Sequence, residues 1–577
     1  MKRLSCLLLT LASITVLAAW GIPRAYTSAV GWQPAARAAA GGGGGTVNHR
    51  GGTRTPPPYD ELGRYAPIEG SRIDLADVAR LAARAEGAAD TAEEAQGEDF
   101  ESHPERPISA EQEALLNEQA RRLRPSSQVQ QMGRASTKDF FLGGNLKVQR
   151  LGDATDGSQA CRTPTGAPCN VVPPDTQMAA GRNHLIAVVN VAIEIFDKSG
   201  HLLSGPTYFR DFFAGVPGCS PRYFDPNVVY DEAADRFVIG IDVRGEGYCV
   251  AASATGDPTG AWNRYFIPIV TLPDFFDFPQ AGVGRDGIYV GGTNFLADGT
   301  TNGPVFAIRK AELYAGTPIT VVTGLTGLEN VPQPANLHGY RQGTWPRFGP
   351  HYFITDDVFD GRTYGIWAWN NPFGGGQLTK LGTIDLNAAT GVVAGLAPNI
   401  PQKGGDDLSP NDWRSMDLEY RNGLFWTTNT IACNPGTGTV ECTRWALFEP
   451  YTLHVLDAGV IASNGVHRGY SDLAVDACGN MALGYTIGSA STYPGIAVTG
   501  RHFFDPRGKL RPEQLVLAGQ KPYVATDGPP HRWGDYSEVT IDPNGKDFYF
   551  FNEYAKDIDY PETFGTYLTK LTFDCPF

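Results

Sequence analysis

Seven times between residues 181 and 554, a turn of Gly, Asn or Asp leads into a short apolar run rich in β-branched and aromatic residues. The units are GRNHLIAVVN from residue 181, DEAADRFVIGIDV from 231, GRDGIYVGGTNF from 284, GPHYFITDDV from 349, YRNGLFWTTNT from 420, DACGNMALGYTIG from 476 and DPNGKDFYFFNEY from 542. Each reads as the turn and rising strand of a hairpin. Successive units lie roughly 50–70 residues apart, room for four short strands each. One four-stranded sheet cannot bury both its faces, whereas a ring of such sheets buries each face against a neighbour and limits open edges. The pattern therefore predicts an all-β fold, a β-propeller, most simply seven-bladed. The uneven spacing also fits six or eight blades, and the alternative fold is a pair of β-sandwiches. The 69 glycines, 42 prolines and 11% aromatic residues suit such a turn-rich chain. LGGNLKVQRLG (142–152) is expected to give a strand to the last blade and close the ring.

The N-terminus reads as an export signal. Lys2 and Arg3 precede an apolar run from Leu4 to Trp20, and small residues follow. Cleavage is expected near Ala29, Ala36 or Ala40, and the run is short for a membrane anchor, which needs about 20 residues. Removing Cys6 with this signal leaves eight of the nine cysteines, an even number that implies disulfides in an exported chain. CRTPTGAPC and CNPGTGTVEC each bracket a turn, which predicts Cys161–Cys169 and Cys433–Cys442; Cys219–Cys249 and Cys478–Cys575 complete the set. The expected organisation is a signal peptide over 1–40, an extension over 41–140 and a propeller over 141–577. The extension opens on GGGGGTVNHRGGTRTPPP, which cannot bury a core. It then carries two helical patterns, one with Leu75, Val78 and Leu81 on one face, the other starting at Ser109 with Gln112 at capping-box spacing. An acidic run separates them, so the extension is read as mostly disordered or helical. The mature protein is expected to be a secreted monomer, extracellular or periplasmic, with no membrane span.

Charged residues make up 19% of the chain and the net charge is −15. A nucleic-acid partner would require a basic face, so that class is excluded. No P-loop, dinucleotide fingerprint, G-x-S-x-G elbow or H-E-x-x-H zinc motif is present. The densest chemistry is HRWGDYS, residues 531–537. Arg532 offers a planar fork for an anion, Asp535 a proton shuttle, and Tyr536 a phenol that donates a proton or attacks. With Arg414 of NDWRSMD and Arg501 of VTGRHFFDP they form the candidate catalytic set, the arginines holding an acidic sugar. The competing reading is structural: Gly534 turns the chain, Asp535 accepts backbone N–H bonds, Arg532 pairs with a carboxylate and Trp533 packs between blades. No cofactor motif stands out. The acidic runs with Asp356, Asp357 and Asp360, with Asp406 and Asp407, and with Asp412 and Asp417 lack EF-hand spacing, yet offer oxygens of the kind Ca²⁺ takes.

PPDTQMAAGRNHLIAVVN (173–190), SDLAVDACGNMALGYT (471–486), TYPGIAVTGR (492–501) and HRWGDYSEVTIDP (531–543) resemble a set of large exported bacterial proteins of unassigned activity, expected to be β-propellers. The Arg/Asp/Tyr set is also distantly similar to that of sialidase-like propellers, although a clear S-x-D-x-G-x-x-W box is missing and TGDPTGAW (255–262) has its glycine displaced. The resemblance implies fold and export, not a reaction. Two functions follow. One is a binding or scaffold protein for an extracellular glycan or protein partner, in keeping with 10 Trp, 24 Tyr and 29 Phe. The other is a glycan hydrolase or lyase with its site at the channel mouth.

Overall fold

The computed structural model describes residues 63–85, 108–132 and 144–574, apart from short breaks at 164–166, 168, 220–221, 244, 246, 270–274, 329 and 358. The signal peptide, the glycine-rich linker and the acidic run lie outside the described residues, as does Cys575.

The described strands form seven sheets, antiparallel apart from two short parallel pairings at the edges of one of them, and the seven predicted turn units fall at one recurring place, between the first strand of a sheet and the second. In chain order the first strands are Gln177–Ala180, Tyr223–Asp231, Phe275–Val283, Asn330–Pro334, Asp417–Arg421, His467–Val475 and Glu538–Ile541. They name sheets one to seven. Each touches the first strand of the next sheet, and the seventh touches the first, so the order closes into the ring of a β-propeller. Sheet seven is completed from the other end of the chain: Lys147–Asp156 pairs antiparallel with Phe564–Thr572, with Lys147 opposite Thr572.

Between sheets the core is apolar. Ile239, Ile241 and Trp262 of sheet two pack with Ile186, Val188 and Ile193 of sheet one, and Phe548 and Phe550 of sheet seven pack with Ala482, Ile496 and Val498 of sheet six. Burial at about 25 cal/mol per Å² of apolar surface is what holds such faces together. Disulfides Cys161–Cys169 and Cys433–Cys442 form as expected from their spacing, and Cys219–Cys249 forms as the expected further pair. Cys478 is also disulfide-bonded.

Parts of the extension are woven into the ring. Ser71–Asp74 adds a fifth strand to sheet two beside Ala261–Pro268, and Gln130–Gln131 runs parallel to His454–Ala462 of sheet five. The helix Leu75–Ala85 buries Leu75 and Val78 against Phe212 and Trp262. The helix Ala110–Arg121 starts where its spacing predicts, the Ser109 hydroxyl accepting the Gln112 N–H at 3.2 Å. No helix among the described residues is long and apolar enough to cross a membrane.

Candidate functional site at one end of the ring

A short motif, repeated once per sheet, lies within or at the start of every first strand. The triplets are DTQ (175–177), DPN (225–227), FPQ (278–280), VPQ (331–333), SMD (415–417), YSD (470–472) and YSE (536–538). In five of them the leading residue has left-handed backbone: Asp175 (φ 49°), Asp225 (51°), Phe278 (53°), Val331 (45°) and Tyr470 (50°). Non-glycine residues rarely adopt that conformation, and in sheets two, three, four and six it coincides with a break in strand register. In sheets two and six the third residue of the triplet stitches its sheet to the next. Asn227 Nδ2 donates to the Pro279 carbonyl at 3.0 Å, and Asp472 Oδ2 accepts the Val539 N–H at 2.6 Å. The triplet is readable in the sequence, but three degenerate positions some 50 residues apart are weaker than the turn units that drew the reading.

HRWGDYS enters this ring just before the seventh first strand. Asp535 is gripped on both oxygens: Oδ1 by Arg414 Nη2 at 3.0 Å, Oδ2 by Arg532 Nη2 at 2.5 Å. Its own N–H donates to Asp175 Oδ1 at 2.7 Å. Arg414 also donates through Nε to Asp412 Oδ1 at 2.9 Å and lies over the Phe278 ring at 3.8 Å. The Tyr536 hydroxyl, on a residue only 1% exposed, donates to Asp225 Oδ2 at 2.8 Å. Asn190 spans the pair behind: its Nδ2 donates to Asp175 Oδ2 at 2.5 Å and its Oδ1 accepts the Asp225 N–H at 2.8 Å. Trp533 is fully buried and donates to the Thr486 hydroxyl at 3.0 Å, while His531 Nδ1 meets Asp527 Oδ1 at 2.9 Å.

Of the five residues singled out in the sequence, Arg414, Arg532, Asp535 and Tyr536 come together. Arg501 does not join them. It ends the strand Thr492–Arg501 of sheet six, pairs with Asp457, donates to the Asp505 carbonyl at 2.9 Å and lies over the Trp445 ring. The sequence reading missed Asp175, Asp225, Asp277 and Asn190, which complete the cluster, and Glu553, whose Oε1 lies 2.4 Å from where a side chain on Gly534 would begin.

The electrostatics divide the cluster. Burial alone would raise the Asp535 carboxyl, but the Arg532 and Arg414 charges outweigh it and hold the group below the ordinary carboxylate range. Asp225 is pushed up to about 6 by burial and the Asp535 charge. Asp175 and Asp277 go well above their ordinary value through burial and the Asp225 charge. Burial and Asp225 push the Tyr536 phenol well up, so it stays protonated. In the acidic runs Asp360 Oδ1 accepts the N–H groups of Arg362 and Thr363 and Asp357 pairs with Lys380, while both carboxylate oxygens of Asp356 and Oδ2 of Asp417 are buried without a hydrogen-bond partner among the described residues. Among the described residues no group of three or more His, Cys, Asp or Glu side chains is arranged to hold a metal ion.

No family model matches the chain, and no curated protein matches it. Solved structures similar to it include Saccharomyces cerevisiae Sqt1, at 10% identity and TM-score 0.32, covering 70% of this chain and 96% of that one. The polysaccharide lyase Uly1 matches at 10% identity and TM-score 0.33, covering 75% and 99%. A subtype N10 neuraminidase-like protein of A/little yellow-shouldered bat/Guatemala matches at 8% identity and TM-score 0.31, covering 62% and 99%. At that distance these likenesses speak to neither substrate nor reaction.

Proposed function

We propose that the protein is an exported propeller, one blade per sheet, that binds an extracellular glycan or protein partner, and that HRWGDYS is the lock that holds the ring's end in shape. The observation that carries this reading is that its reactive groups are already engaged with one another: Asp535 is neutralised by two guanidinium groups and the Tyr536 hydroxyl is spent on Asp225. A shuttle needs a titration near the working pH, and a nucleophile needs a free, activated oxygen. The binding surface would use aromatic residues that remain exposed, Tyr340, Phe348, Tyr451 and Phe504. Such rings stack on sugars or anchor a protein partner. The paired cysteines fit an oxidising compartment. The signal over 1–40, the extension over 41–140, the propeller over 141–577 and a monomeric state belong to the same reading.

A second reading rests on the split titration. Asp175, Asp225 and Asp277 hold protons more tightly than usual beside an ionised Asp535. Carboxyl groups pushed apart in this way can serve as acid and base on a glycan, with the half-buried Arg532 receiving an acidic sugar. The test is to incubate the purified protein with neutral and acidic polysaccharides, reading binding by calorimetry, new reducing ends for hydrolysis and ultraviolet absorbance of unsaturated products for a lyase. Binding without product supports the first reading. Product whose formation is lost in Asp225→Asn replaces it with the second.

A further inference from the structure

Six of the seven turns between first and second strands are short, two to five residues each. Sheet four is the exception. After the parallel piece Asn336–Leu337, thirteen residues, 338–350, pass before the second strand His351–Asp356 begins. A long excursion in a compact fold usually carries function rather than mere connection. Residues 339–350 read GYRQGTWPRFGP: three aromatic rings, two arginines and no acidic residue, in a chain whose net charge is −15.

The turns lie at the end of the ring opposite HRWGDYS, since they follow the first strands whereas that motif precedes one. The loop spans the axis there and is tied to distant sheets. Glu232 Oε2, in the turn of sheet two, accepts the N–H groups of Gly339 and Tyr340 at 3.1 and 2.9 Å. Gln342 donates to the Pro543 carbonyl in the turn of sheet seven at 3.0 Å, and the Tyr420 hydroxyl of sheet five donates to the Thr344 carbonyl at 3.2 Å. Trp345 is half-buried against core residues, with Tyr340 edge-on to it at 5.8 Å. A backbone fixed in this way presents its outer side chains at a low ordering cost. Tyr340 is 49% exposed and Phe348 83%. Tyr451, 69% exposed, joins them from sheet five: its hydroxyl lies 3.5 Å from where a side chain on Gly349 would begin. Arg341 and Arg347 are exposed and form no ion pair among the described residues. The depression beside Phe348 is shallow, about 20 Å³, so a ligand here lies across the surface rather than in a hole.

We propose, on the binding reading given above, that this loop and Tyr451 dock an acidic polysaccharide, its sugar rings stacked on Tyr340, Phe348 and Tyr451 and its carboxylates paired with Arg341 and Arg347. Guanidinium forks hold carboxylates in bidentate geometry, and aromatic faces stack on sugars. An extended chain of charged sugars suits a shallow cationic and aromatic surface. The negative charge of the rest of the protein repels such a polymer and confines it to this end.

The test uses the full purified chain and calorimetry with polygalacturonate, its fully methyl-esterified counterpart and poly-glutamate. Polygalacturonate should bind, less tightly as salt rises, and the neutral counterpart at least ten-fold more weakly. The double variant Arg341→Ala/Arg347→Ala, and Phe348→Ala alone, should each weaken binding at least ten-fold with the unfolding midpoint unchanged, because all three side chains are exposed. Arg507→Ala, exposed between the last two strands of sheet six, should leave binding as it is. Equal binding of the neutral polymer, or binding that the double variant leaves intact, overturns this surface while the binding reading stands. Poly-glutamate bound as tightly as polygalacturonate means that charge alone is read, and overturns the sugar. A chain that binds neither polysaccharide overturns the proposal and leaves the binding reading only a protein partner.

Discussion

The Tyr536 hydroxyl donates to the Asp225 carboxylate at 2.8 Å, joining residues 311 positions apart in the chain. That bond, with the Asp535–Asp175 bond beside it, fastens the last sheet to the first two. It is why the cluster bears on stability before it bears on chemistry.

Asp535→Ala leaves the Arg414 guanidinium buried with half its counter-charge gone and takes one carboxylate away from Arg532. Breaking such a pair costs about 3–5 kcal/mol. Denaturant unfolding should show a loss of that order; a change below about 1 kcal/mol would mean that Asp535 does not hold this end of the ring.

Acidity should strengthen the fold over one window. The Asp225 pKa is raised in the folded state, to about 6 from an ordinary value of 3.8. The folded chain therefore binds more protons than the unfolded chain between those values, and stability falls as pH rises through about 6. Unfolding midpoints should climb from pH 7 toward pH 5, and Asp225→Asn, which can still accept the tyrosine hydroxyl, should flatten that climb. Below about pH 4 the Asp535 contribution is lost, because its depressed pKa stabilises only while the group is ionised.

His338 acts in the alkaline direction. Burial opposes its charge, but Glu419 and Glu232 outweigh burial and lift its pKa to about 9. Its contribution is whole below pH 6.5 and is lost as pH rises through about 9. His338→Gln should lower stability at pH 6 and remove the decline that the wild type shows between pH 7 and 9, as read by thermal unfolding across that range.

Gly534→Ala tests the glycine at the centre of HRWGDYS. A methyl there would meet Glu553 Oε1 at 2.4 Å, and Glu553 is itself buried. Overpacking of this kind costs about 1–3 kcal/mol. Pairing the change with Glu553→Ala should recover part of the loss, measured by a double-mutant cycle.

What could be read in advance follows from range. The seven turns were legible because a tight reversal demands Gly, Asn or Asp locally, as at Gly479 (φ 79°) and Gly545 (φ 73°). The cap at Ser109 and the short disulfide loops are equally local. The closing strand was legible by position as well as pattern. Asp175, Asp225 and Asp277 were not, because nothing near them in the chain names Asp535 or Tyr536 as partners. Arg501 misled for the same reason: it shares the residue types of Arg414, but Asp457, supplied by another sheet, claims its guanidinium. The strand Ser71–Asp74 was missed because four residues without a turn signal look like any linker.

The strand Lys147–Asp156 sets the order of assembly. Its Asp153 meets Tyr554 across 401 positions of chain, so one of the earliest strands to be synthesised is among the last to find its place. Until the C-terminal strands are made, it has no edge to join and the circle has a gap. Closing so long a loop is entropically slow, and sheets on either side of the gap keep a bare face in the meantime. A chain cut short, or nicked inside the seventh sheet, loses more than one element: it becomes an open arc with two sticky flanks, prone to associate with its own kind.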